Sequence, residues 1–275
     1  LHSHQSLQTI LRKILDTTNK SDLLRDIQSL GIDPQGTLLI HSSMKAIGPV
    51  EGGADTVLDA WCDYMQEGLL IFPTHTWETI GEKNTVFDSR TEPSCVGILP
   101  ELFRKRPGVV RSLHPTHSVA ALGKDAVAYT AGEETAVTPL PRDGCWGKLL
   151  DRDAEILFLG CPLSKNTFIH GVEEWNHIPD RLAEATQRLT ILGPAGEPYQ
   201  VDMHRHHCEA CEDISERYGM LEEPFRRLGA IRYGKFGDAL CVVGKARKMN
   251  EIASQLLKKE PNLFLSVKAI PGEWY

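Results

Sequence analysis

No apolar run in this 275-residue chain approaches the ~18–20 residues that a membrane-spanning helix needs, so no span is expected. The opening stretch, LHSHQSLQTILRKIL, also lacks the apolar core and small-residue cleavage site of a secretory signal. It reads as a surface helix, and the expected compartment is the cytoplasm. Cysteines are few and scattered: seven, at 62, 95, 145, 161, 208, 211 and 241. An odd number at irregular spacing gives no disulfide framework, so reduced thiols are expected. Positive charge is in deficit, with 37 acidic residues against 30 basic and a net charge of −7. A nucleic-acid binder needs a basic footprint, so the balance argues against one. An acidic surface suits a cationic small molecule, although many enzymes of neutral substrates share it. No GxxxxGKS/T loop, GxGxxG fingerprint, GxSxG elbow or HExxH helix occurs. Their absence counts against kinases, dinucleotide oxidoreductases, α/β-hydrolases and zincins. Internal repeats, low-complexity tracts and Ser/Gly/Pro-rich linkers are missing too. Residues 1–275 therefore read as a single domain, with N-terminal helices over 1–35 and an α+β portion over 190–275.

What is present is an ordinary globular composition, 41% hydrophobic and 24% charged. Helical spacing of Leu7, Ile10, Leu11, Ile14 and Leu15 predicts a helix over 5–18. Ser21 is the expected N-cap of a second helix over 22–30, with Gly31 as its stop. TLLIH at 37–41 and GLLIF at 68–72 read as buried strands around a helix at 54–66. Strand, helix, strand is the parallel crossover unit, and such sheets bind ligands beyond their strands' carboxyl ends. The fold class is therefore α/β, with a mixed, largely parallel central sheet flanked by helices. Ser42, Ser43 and the Thr74–Thr76 loop fall at two such strand ends. Residues 78–96 lack periodicity and read as an active-site loop. A helix at 97–105, extended chain over 109–122, a buried strand at 155–159 and a loop or short helix over 164–178 follow. Beyond 190 come short strands near 188–192, 198–203, 230–234 and 238–243, with helical stretches at 208–228 and 246–258.

The stretch FRKRPGVVRSLHPTHSVAALG at 103–123 carries the most chemistry. Arg104, Lys105, Arg106 and Arg111 surround prolines that hold the backbone open, and Ser112, His114, His117 and Ser118 follow. Four cations, two imidazoles and two hydroxyls suit an anionic ligand beside acid–base chemistry. A solvated basic helix end running into a turn and a strand fits the same residues. His170 and Glu173 stand three apart, on one face of a helical turn, where a carboxylate can orient an imidazole base. Spacing alone equally fits a structural histidine beside a solvated acid. HRHHCEAC at 204–211 offers metal-competent side chains, but no second CxxC or distant pair completes a zinc site. With Asp202, Arg205, Glu209 and Glu212, it reads instead as an exposed amphipathic helix start.

Taken together, HSSMKAIGPVEGG at 41–53, FPTHTW at 72–77, FDSRTEPS at 87–94, the 103–123 stretch and NTFIHGVEE at 166–174 resemble the aminoglycoside 3-N-acetyltransferase family. The likeness runs from about residue 20 to about 250, with the motifs in the family's order. It implies an antibiotic N-acetyltransferase-like fold and an acetyl-CoA-dependent acyltransferase that modifies the 3-amino group of 2-deoxystreptamine antibiotics, hence a part in antibiotic resistance. It implies His170 as general base with Glu173 beside it. It places Ser42, Ser43, Met44 and Thr76 at the coenzyme, with Arg111, Ser112 and His114 as further CoA contacts. Asp88, Glu173 and Glu174 become the substrate-side carboxylates, with Glu78, Glu82 and Glu92 either adding negative potential there or, as the default, standing as solvated loop acids. No metal is expected. The partners implied are CoA and a cationic amino sugar; a homodimer is left open. Two rival readings stand beside this one. The same fold and coenzyme could serve another small-molecule amine. Alternatively, HRHHCEAC with His75, His114 and His117 could mark a zinc-binding module.

Overall fold

The computed structural model describes residues 17–275. The helix expected over 5–18 lies outside the described residues except for its last two positions, where Thr18 bridges to Val50. The strands are β1 (Thr37–Ser42), β2 (Leu69–Pro73), β3 (Val86–Asp88), β4 (Val110–Arg111), β5 (Val119–Gly123), β6 (Glu155–Leu159), β7 (Leu182–Leu192), β8 (Pro198–His206), β9 (Ile231–Phe236) and β10 (Ala239–Lys245). The α-helices are α1 (Lys20–Ser29), α2 (Met44–Ile47), α3 (Gly53–Tyr64), α4 (Ile98–Phe103), α5 (Ala126–Thr130), α6 (Cys145–Asp151), α7 (Phe168–Trp175), α8 (Glu222–Arg227) and α9 (Ala246–Lys259).

Seven strands build the central sheet in the order β4-β5-β2-β1-β6-β10-β9. β1 pairs in parallel with β2 and β6, and the remaining pairings are antiparallel. Strands β4, β2, β1, β6 and β9 consequently point one way, and β5 and β10 the other. This is the expected α/β class with a mixed, largely parallel sheet. The middle strands are buried on both faces, which is why they read as unbroken apolar runs. Their side chains still alternate. Leu39, Ile71, Ile156 and Phe158 join the core under α6, α7 and α9, with Trp146, Phe168 and Met249. Leu38, Ile40, Leu70, Phe72, Leu157 and Leu159 join the core under α1, α3 and α4, with Ile27, Trp61 and Phe103. Truncating a fully buried aromatic such as Phe72 in such a core costs about 3–5 kcal/mol.

A second sheet runs β3-β7-β8, with its own apolar cluster of Ile80, Phe87, Leu189, Ile191, Val201 and Met203. Here the structure departs from the sequence expectation. HRHH does not start a helix. It ends β8, where Val201 and Met203 point into the cluster and Asp202 points out to Arg188 at 2.5 Å. The period is two, as a strand demands. The helical stretch at 208–228 becomes 3₁₀ turns over Ile214–Leu221 followed by α8. Cys208 and Cys211 are joined in a disulfide, which corrects the expectation of reduced thiols throughout. Their Cα atoms are 5.5 Å apart, within ordinary disulfide reach. Helix α1 begins two residues earlier than expected. Asn19 caps it, because its side chain accepts from the Asp22 amide while the Asp22 carboxylate accepts from the Asn19 amide. No helix among the described residues is long and apolar enough to cross a membrane.

Candidate active site

Because β1, β2 and β6 are parallel, their carboxyl ends open onto the same edge of the sheet. A cavity of about 870 Å³ lies there. Its walls include Ser42 and Ser43 after β1, Pro73 and His75 after β2, and Gly160 and Cys161 after β6. Thr167 and His170 border it at the start of α7, and Arg205 and His206 at the end of β8. Gly160 sits at φ +67°, and a Cβ there would meet the Ala46 Cβ at 2.4 Å. Glycine is what lets β6 turn beside α2 without closing the cavity.

Imidazoles dominate one wall. His170 stacks on His206 with ring centroids 4.2 Å apart, and His206 meets His117 edge-on at 4.9 Å. His117 lies 4.9 Å from His75, which stacks on Trp146 at 5.5 Å. His41 is sandwiched by Phe158 at 5.2 Å and Trp146 at 6.0 Å. Burial makes all of these rings resist protonation: it lowers His41 and His170 to about 3, and pushes His75, His117 and His206 well below the usual imidazole range. Neighbouring imidazoles reinforce the last three shifts. The rings are therefore neutral near pH 7, and His170 keeps a free lone pair on one ring nitrogen.

Helix α7 places His170 at the cavity and Glu173 behind it. Glu173 is fully buried, and its carboxylate bonds to Tyr218 and Arg181, not to the His170 ring. The Tyr218 hydroxyl stands between them, 2.7 Å from His170 Nδ1 and donating to Glu173 Oε2 at 2.5 Å. Arg181 Nε donates to the other carboxylate oxygen at 2.5 Å. With Nδ1 occupied, Nε2 is the nitrogen that His170 presents to the cavity.

The remaining expected site residues spread more widely. Ser42 and Ser43 line the cavity, and Met44 follows them as the first residue of α2. Arg111 does not reach the cavity. Its guanidinium donates to the carbonyls of Thr74, Glu92 and Ser89 and to Ser118 Oγ, and it lies over the Phe87 ring. Ser112 donates to Glu133 at 2.7 Å and accepts from the Val119 amide. His114 Nδ1 accepts from the amides of Thr116 and His117, so Nε2 carries the hydrogen and donates to the Thr138 carbonyl at 3.0 Å. Thr76 donates to the Pro115 carbonyl at 2.6 Å. These four side chains brace the β4–β5 turn. Asp88 grips Arg90, whose hydrogen bonds lower its carboxyl to about 2. Glu174 accepts from Thr138 Oγ1 and the Leu140 amide. Glu78, Glu212 and Asp213 are the carboxylates that do line the cavity, with Lys165 and Arg205 as its cations.

HRHHCEAC is dispersed. His204 donates to the Ala183 carbonyl, His206 faces His170, His207 meets Asp180 at 3.1 Å, and the cysteines are joined to each other. Among the described residues no three His, Cys, Asp or Glu groups converge as a metal site. Sequence reasoning missed Tyr218, Arg181 and His206 as neighbours of His170. Tyr218 lies 45 residues beyond Glu173, and no local pattern marks it.

A neutral imidazole, tethered through one ring nitrogen, borders a ligand-sized cavity at parallel strand ends, where α/β sheets hold their ligands. A profile of the family described as aminoglycoside 3-N-acetyltransferase matches residues 39–258, and the chain belongs to that family of acetyl-CoA-dependent acyltransferases. The SPbeta prophage-derived aminoglycoside N(3')-acetyltransferase-like protein YokD of Bacillus subtilis (strain 168) is 30% identical over 266 residues, 84% of this chain and 90% of its own. The crystal structure of aminoglycoside acetyltransferase AAC(3)-Xa aligns with a TM-score of 0.77 at 24% identity, over 93% of this chain and 98% of that one. AAC-IIIb in a binary complex with CoASH gives 0.73 at 22% identity, over 88% and 97%. These two likenesses establish the shared fold.

Proposed function

We propose that this enzyme moves the acetyl group of acetyl-CoA onto the 3-amino group of a 2-deoxystreptamine aminoglycoside, within a ternary complex and with His170 as general base. The observation that carries the reading is the neutral His170 ring, tethered through Nδ1 and facing the cavity through Nε2. The neutral amine attacks the thioester carbonyl carbon, and its departing proton passes to His170 Nε2. The C–S bond then breaks, the imidazolium returns the proton to the thiolate, and amide and CoA leave. General-base catalysis of this kind contributes about 10²–10⁴-fold, and alignment of two bound substrates adds to it. No acyl-enzyme is required.

Ser42, Ser43 and Met44, with Lys165 nearby, receive the coenzyme. The buried Ser42 Oγ and His41 Nε2 have no hydrogen-bond partner among the described residues, which suits a polar ligand at the end of β1. On the acceptor side Glu78, Glu212 and Asp213 take the ammonium groups, in place of Asp88 and Glu174. The reading extends to a homodimer, supported by Leu240 and Tyr233, which stand 72% and 52% exposed on one face of the β9–β10 hairpin. It also places the enzyme in the cytoplasm, where acetyl-CoA is supplied. Thiol release from acetyl-CoA, followed with gentamicin, tobramycin, a non-deoxystreptamine amino sugar and no acceptor, tests the function. Turnover with the first two, a one-acetyl mass gain at the 3-amino group, and its loss by at least ~10²-fold in His170→Ala with CoA binding intact are the expected results. Full activity of His170→Ala would remove the base assignment, and silence with every acceptor would move the search to other amines.

A further inference from the structure

The contact between His170 and Glu173 runs through Tyr218, and a hydrogen-bond chain of this kind has a direction. A phenol carries one hydrogen. When Tyr218 donates it to Glu173, its oxygen accepts from His170 Nδ1–H, and Nε2 keeps its lone pair for the substrate. In the reverse order, a protonated Glu173 donates to Tyr218 and Tyr218 donates to Nδ1. That order makes as many hydrogen bonds but leaves the hydrogen on Nε2, where it cannot act as a base. Burial favours the reverse order, because it pushes the Glu173 carboxyl up from its usual range; Arg181 and the Tyr218 hydrogen bond oppose it. The same burial, with the Glu173 charge beside it, pushes the Tyr218 phenol well above its ordinary value, so Tyr218 keeps its hydrogen.

Arg181 decides between the two orders. Its side chain is 4% exposed against a carboxylate that is 0% exposed, and Nε lies 2.5 Å from Oε1. Nη1 donates to the carbonyls of Pro179 and Asp180, which hold the guanidinium in place. An Arg in such a site stays charged and demands an anion. Other groups facing His170 are His206 from β8, His75 from the loop after β2 and His117 from the β4–β5 turn, all neutral, so none competes with Arg181 for the carboxylate. We propose that Arg181 and Tyr218 are positioning residues that fix the Nδ1–H tautomer of His170, with Arg181 setting the direction of the chain and Tyr218 transmitting it. This rests on His170 being the base, and it adds two residues and a polarity to that reading.

The test is the ¹⁵N spectrum of histidine-labelled protein, which reports which ring nitrogen of His170 carries hydrogen, read beside kcat, KM and their pH dependence. Wild type should show Nδ1–H. Arg181→Met should shift His170 to Nε2–H and lower kcat by ~10²-fold with KM little changed, and Arg181→Lys should restore both. Tyr218→Phe should leave the two tautomers mixed and lower kcat by ~10-fold or more. Glu173→Gln serves if Arg181→Met does not fold. Its amide accepts from Arg181 and donates to Tyr218, which imposes the reverse order in a nearly isosteric side chain. An Nδ1–H tautomer that persists in both Arg181→Met and Glu173→Gln, or an undiminished kcat in either, overturns the proposal. The spectrum needs no substrate, so wild-type silence toward every acceptor would count against the proposed function while the tautomer could still be read.

Discussion

The neutral imidazoles make acid the protein's weak side, and His41 gives the clearest measure. It is 7% exposed, stacked between Phe158 and Trp146, with Nε2 lacking a hydrogen-bond partner among the described residues, and it stays neutral in the fold down to about pH 3. In the unfolded chain it takes a proton below about pH 6.5. Between those values the unfolded state binds one more proton, so stability falls as pH falls. The loss is absent above about 6.5, grows by about 1.4 kcal/mol per pH unit below it, and reaches about 2 kcal/mol at pH 5. His75, His117 and His206 shift in the same direction and steepen the slope. A domain of ordinary stability has only about 5–15 kcal/mol to lose. Urea unfolding followed by tryptophan fluorescence at pH 7.5, 6.5, 5.5 and 5.0 should show a midpoint that holds to 6.5 and then drops. His41→Phe keeps the stacking and removes one titrating group, so its loss between pH 7.5 and 5.0 should be smaller by about 2 kcal/mol. A midpoint that stays level down to pH 5, or equal slopes for wild type and His41→Phe, would refute the reasoning.

Two further results follow from the placement of charged side chains. Arg111→Met strips donors from the carbonyls of Thr74, Ser89 and Glu92, so it should cost about 3 kcal/mol in denaturant unfolding. The CoA affinity of the folded fraction, measured calorimetrically, should stay within about threefold, because the guanidinium faces backbone carbonyls. Glu212→Gln combined with Asp213→Asn should raise KM for a polycationic acceptor about tenfold and leave KM for acetyl-CoA unchanged. Initial rates at low and high salt check this, since the wild-type advantage should shrink as salt screens the carboxylates.

Much of the frame was legible because it rests on local patterns. TLLIH, GLLIF and EILFL are short apolar runs with turn residues around them, and each became the body of a central strand. The strand ends then located the cavity from topology alone. What stayed hidden depends on partners far along the chain. Arg111 and Ser112 sit in a basic, hydroxyl-rich stretch that suits a phosphate as well as a braced turn; only Thr74, Glu92 and Glu133, brought in from elsewhere, show the second. In β8 the alternation expected over 198–203 runs on to His206, but it is masked beyond Met203 because Arg205 takes the parity of Val201 and Met203. The Ser21 cap was displaced by Asn19, whose reciprocal bonds with Asp22 satisfy two amides where Ser21 offers no such pair.

The strand order has a consequence for synthesis. β6 lies between β1 and β10, yet β10 follows it by some eighty residues of chain. While the ribosome is still making that interval, β6 offers a largely apolar strand with one side of its backbone unpaired. A bare edge of that kind invites pairing with other chains. The β9–β10 hairpin closes it, and α9, which follows at once, covers the face. Tyr218 also arrives late, so the nascent chain carries His170 well before the hydroxyl that bonds to its ring. The stretch from Tyr218 to α9 thus does two jobs together: it seals the edge most exposed to aggregation and completes the surroundings of His170.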